Sequence, residues 1–98
     1  MEYETYCQLT HPIVSKFAKS HPFSGWFIDI TGCYGCLIGK YRISIFVYDD
    51  MDDSLDIAVD TIGENGFFDK NLEWETSEHE DAMVETAMRF MAKYAAKY

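Results

Sequence analysis

Ninety-eight residues make one domain, expected to span 1–98, and leave no room for a second. With 48% apolar and 16% aromatic residues the chain can close a core, and it is too rich in rings to be disordered. Seventeen acids against eight bases leave a net charge of −9, which argues against nucleic acid or an anionic membrane as a direct partner and permits a basic protein.

No stretch is apolar for long enough to span a bilayer. Residues 1–8 lack the basic and apolar parts of a signal peptide, so the expected location is cytoplasmic. The three cysteines are then expected as reduced thiols, because an odd count disfavours a closed disulfide set.

Residues 3–9 read equally as a short strand or a loose first turn. Thr10 followed by Pro12 is a helix start. Ile13, Val14, Phe17 and Ala18 fall at helical spacing, and the helix must end near Ser20 because His21 precedes Pro22. Residues 26–30 read as a strand. Residues 31–36, with Gly32 and Gly35, read as a turn.

Residues 41–48 are the clearest strand. Tyr41, Ile43, Ile45 and Val47 alternate with Arg42, Ser44, Phe46 and Tyr48, and large groups on both sides predict that both faces are partly covered. A polar connector, 49–54, leads to a half-buried strand in which Leu55, Ile57 and Val59 alternate with Asp56, Ala58 and Asp60. The two strands predict an antiparallel hairpin.

Residues 63–66 form a turn, Phe67 and Phe68 follow, and 72–75 suggest a last strand. Ser77 to Glu80 fits a capping box that opens a helix reaching about Lys97. Met83, Ala87, Phe90 and Tyr94 share one face of it, with Val84, Met88 and Met91 beside them. Acids gather at its start and bases at its end, the order its dipole favours. The expected fold is α+β: a small antiparallel sheet of three to four strands, with a short N-terminal helix and a long C-terminal helix packed on one face.

Charge is unevenly spread. Residues 49–88 hold fourteen acids against Lys70 alone. Asp56 and Asp60 would leave the same strand face, beside Asp49, Asp50, Asp52 and Asp53 at the hairpin tip, and a contiguous acidic strip is the expectation. Such a strip complements a basic groove and would act as a decoy for phosphates.

Other constellations carry less. Cys33 and Cys36 form a C-x-x-C pair, and with Cys7 and His11 a Cys₃His zinc site is arithmetically open, although no second C-x-x-C exists. A thioredoxin-like role would need the pair at a helix start. Asp50 to Asp56 begins like a calcium loop but has Leu55 and Thr61 where glycine and an acid are required. No nucleophile elbow or phosphate loop is present. Two adjacent phenylalanines in a loop cannot easily both point inward, so Phe67 or Phe68 is a candidate contact anchor.

The expectation is a non-catalytic acidic inhibitor that occupies a basic, nucleic-acid-binding site on a partner such as a nuclease. An anti-CRISPR-type phage protein and a toxin-immunity protein both fit that description. The expected contact residues are Asp49, Asp50, Asp52, Asp53, Asp56, Asp60, Glu64, Phe67 and Phe68, with no cofactor. The alternatives are a zinc-stabilised domain on Cys33 and Cys36, and a structural subunit that binds through an aromatic patch.

Overall fold

The computed structural model describes residues 11–29, 31–48, 54–66 and 68–97. Pro12 opens α1 (Pro12–Ser20), and its missing amide costs nothing in a first turn. His11 is the cap: its Nδ1 accepts the Ile13 amide at 3.2 Å. Val14 and Phe17 form the buried face, and the helix ends at Ser20, as the His21–Pro22 pair requires.

Five strands follow: β1 (Phe27–Ile28), β2 (Tyr34–Ile38), β3 (Tyr41–Phe46), β4 (Leu55–Ile62) and β5 (Phe68–Ser77). They form one antiparallel sheet in sequence order. The last helix, α2 (Glu80–Lys97), crosses it.

The hairpin of β3 and β4 is as expected, with Ile43 opposite Val59 and Ile45 opposite Ile57. The sheet has one strand more than the upper expectation, because residues read as a turn are β2. Gly35 stands opposite Phe27 and Ser44, and its missing Cβ lets β2 lie close against β3, where a Cβ would meet Ile43 and Ser44 backbone atoms. The strand expected at 26–30 is shorter, and Trp26 is core. The last strand runs ten residues rather than four. Its register shifts between Val59 and Asp60 and between Thr61 and Ile62 break the alternation that marks a strand.

Both helices lie on the same face of the sheet. Val14 and Phe17 of α1, and Met83, Ala87, Phe90 and Tyr94 of α2, share one buried cluster with Ile43, Ile45, Ile57 and Val59. Burying side chains of this size stabilises by about 1.5–3 kcal/mol each, so this layer is the main source of stability. The capping box is not formed as expected. Ser77 ends β5 and its Oγ accepts the His79 amide at 3.1 Å, while Glu80 turns to His21 at 3.4 Å and links the end of α1 to the start of α2. No helix among the described residues is long and apolar enough to cross a membrane.

Candidate functional site: the uncovered face of the sheet

A strand sends alternate side chains to opposite faces, so the register identifies what the second face presents. One row across it is Phe27, Gly35, Ser44, Ala58 and Trp74. The next rows are Leu37, Arg42, Asp60 and Asn71, and, towards the other end, Phe46, Asp56 and Thr76. Ile62 stands opposite Phe68. Neither helix covers this face among the described residues.

The face is apolar for a surface. Phe27 (51% exposed), Leu37 (56%), Phe68 (62%) and Trp74 (47%) lie on it. Tyr48 continues the alternation beyond Phe46 and sets its ring edge-on to Trp74 at 5.3 Å. Phe46 meets the same indole at 5.2 Å. Two polar residues of this face, Ser44 and Asp56, are nonetheless buried, and Asp56 accepts the Thr76 hydroxyl at 2.5 Å.

Towards β1 the face sinks into a hollow of about 400 Å³, floored by Gly35 and walled by Phe27, Leu37, Ile62 and Phe68. At one side stands Asp29. Its Oδ1 accepts the Thr31 amide (2.9 Å), the Thr31 hydroxyl (2.5 Å) and the Cys33 amide (3.2 Å). Its Oδ2 takes Arg42 Nη2 at 2.5 Å. Asp60 stands opposite Arg42 in the hairpin and accepts Asn71 Nδ2 at 2.9 Å.

The residues expected at the contact surface separate. Asp56 is a correction: it is buried and accepts the Thr76 hydroxyl, so it is not presented at the surface as expected. Asp60 is half-buried in the hollow, Glu64 is exposed in the turn before β5, and Phe68 is exposed. Asp49, Asp50, Asp52, Asp53 and Phe67 lie outside the described residues. In sequence the four aspartates follow Tyr48.

Phe27, Leu37 and Trp74 were missed as surface residues. Alternation alone says which side a residue takes, not whether that side is covered.

Cys33 and Cys36 go to different surroundings. Cys36 is in the core, where burial pushes its thiol up to about 11. Cys33 is half-buried beside Thr31, and its thiol is also raised, chiefly by burial. Among the described residues no three His, Cys, Asp or Glu side chains gather closely enough to hold a metal ion; Cys7 lies outside them.

No family model, curated protein or solved structure matches this chain.

A second cluster joins α2 to the sheet on the helix side. Glu73 accepts the Tyr94 hydroxyl and Lys93 Nζ (3.0 Å), and Glu75 takes Arg89 Nη2 at 2.6 Å. Burial works against the Glu73 charge, but Tyr94, Lys93 and Arg89 outweigh it and hold the carboxyl below its ordinary range. Burial first, then the bond and charge of Glu73, push the Tyr94 hydroxyl far above the usual phenol range. Tyr94 is fully packed, so this cluster is a clamp between layers rather than a reactive centre.

Proposed function

We propose that this chain is a non-catalytic protein-binding domain of the inhibitor type, which holds a basic partner against the uncovered sheet face. The observation that carries the reading is the concentration there of Phe27, Leu37, Tyr48, Phe68 and Trp74, five of the seven large exposed hydrophobic side chains among the described residues. Exposed apolar side chains gathered on one face mark interaction sites, and aromatic anchors dominate the energetics of interfaces.

The net charge of −9 supplies the second component. An acidic domain draws a basic surface in quickly, and the apolar face then holds it. A partner whose own function is to bind phosphates fits both requirements, and occupying that site would block it.

The test uses the tagged chain on extracts of its own host. Leu37→Ser with Phe68→Ser should abolish capture of the partner, with the fold intact by circular dichroism. Met88→Ser, a change at another exposed hydrophobic side chain, on α2, should leave capture unchanged. The purified wild-type chain should also displace nucleic acid from the captured partner. Undiminished capture by the Leu37/Phe68 variant would sink the reading.

A further inference from the structure

The hollow on the uncovered face contains two carboxylates and one guanidinium, and the guanidinium is already taken. Arg42 is the cross-strand neighbour of Asp60, yet it gives Nη2 to Asp29 at 2.5 Å. Asp29 is thereby neutralised and, with three further donors, saturated. Asp60 accepts one neutral amide from Asn71 and pairs with no cation among the described residues. One negative charge is left half-buried in a hollow whose walls are Phe27, Leu37 and Phe68. A carboxylate in such surroundings favours a cation that brings its own donors.

An arginine side chain matches this chemistry better than a lysine. Its guanidinium is planar, weakly hydrated and able to stack on an aromatic ring, whereas an ammonium is compact and strongly hydrated. Its donor fork can meet a carboxylate with two parallel bonds. Its three-carbon stem is apolar and suits the walls. The hollow already accommodates one guanidinium, that of Arg42, beside a carboxylate.

The geometry points to the hollow as a receptor for an arginine side chain of the basic partner, with Asp60 as its acceptor and Phe27, Leu37 and Phe68 as its walls. This assignment rests on the uncovered face being the contact surface. It makes the partner a protein that presents an arginine at the centre of its own contact patch. Arginines with that placement are common where a protein reads phosphates.

The test is a titration of the isotope-labelled chain with N-acetyl-arginine methylamide, followed by amide chemical shifts. Saturable shifts should be confined to Phe27, Leu37, Asp60, Phe68 and their strand neighbours. The citrulline analogue, which keeps the shape and loses the charge, should bind at least about tenfold more weakly. Asp60→Asn should lose the arginine probe to a similar degree, while Asp69→Asn should not. Shifts scattered over the surface, equal binding of citrulline, or full binding by Asp60→Asn would each overturn the assignment. If the probe fails but Leu37→Ser with Phe68→Ser still abolishes partner capture, the arginine assignment falls and the contact face stands. If the probe binds as expected while that variant captures the partner normally, the hollow keeps its selectivity and the contact-face reading falls.

Discussion

A Cβ placed on Gly35 would stand 2.1 Å from the Ile43 carbonyl oxygen and 3.0 Å from the Ser44 Cα. Those are backbone atoms of β3, so no side-chain rotation relieves the overlap, and β2 would have to separate from β3 or twist away. Gly35→Ala is therefore expected to cost about 3 kcal/mol, at the upper end for overpacking, visible as a lower urea midpoint with an unchanged slope. The same substitution would raise the floor of the hollow. A variant as stable as wild type would mean that the two strands have slack there. Asp56 shows the opposite case, in which a residue that reads as a surface acid is drawn inward. It is buried opposite Phe46 of the neighbouring strand and takes the Thr76 hydroxyl, which is 20 positions away. Nothing local to Asp56 signals that burial; it depends on which strand lies beside β4.

Among the elements, α2 was legible because Met83, Ala87, Phe90 and Tyr94 recur at the helical period, and all four are buried on one face. The β3–β4 hairpin was legible for the same kind of reason, with period two in place of 3.6. β2 was not, since Gly35 between two cysteines carries the marks of a turn, and the pairing that makes it a strand is long-range. β5 was only partly legible because its bulges and mostly exposed residues hide the alternation. It is an edge strand, and bulges on an edge discourage further pairing. α2 is fastened to it through Glu73, and this predicts a pH dependence. Glu73 has a folded pKa below its unfolded value, so its contribution is complete above roughly pH 4.3 and is lost as the pH falls through the folded value. Glu73→Gln should flatten the decline of stability between about pH 5 and pH 3. Tyr94→Phe removes one of the donors that depress it and should lower stability at pH 7 by about 1–3 kcal/mol. Urea midpoints measured across that pH range decide; parallel curves for wild type and Glu73→Gln would show that the clamp does not hold the carboxylate in its charged form.

For the molecule as a whole, the charge and the uncovered face pull in opposite directions, and salt separates them. At −9 two copies repel each other, and that repulsion opposes contact between two apolar faces. The Debye length shortens from about 10 Å at 0.1 M salt to about 3 Å at 1 M, so salt removes the repulsion and leaves the attraction between the rings. Sedimentation velocity at pH 7 should accordingly show monomers at low salt and a rising average mass as salt increases. Leu37→Ser with Phe68→Ser should stay monomeric throughout. Capture of a basic partner should respond with the opposite sign, since screening weakens attraction between unlike charges. A wild-type chain that self-associates with salt while its partner contact weakens would place both effects on one surface, with the acids selecting what reaches the rings. If mass stays constant at every salt concentration in wild type and variant alike, the rings on this face are too far apart to act as a patch, and the case for the face as the contact surface loses its support.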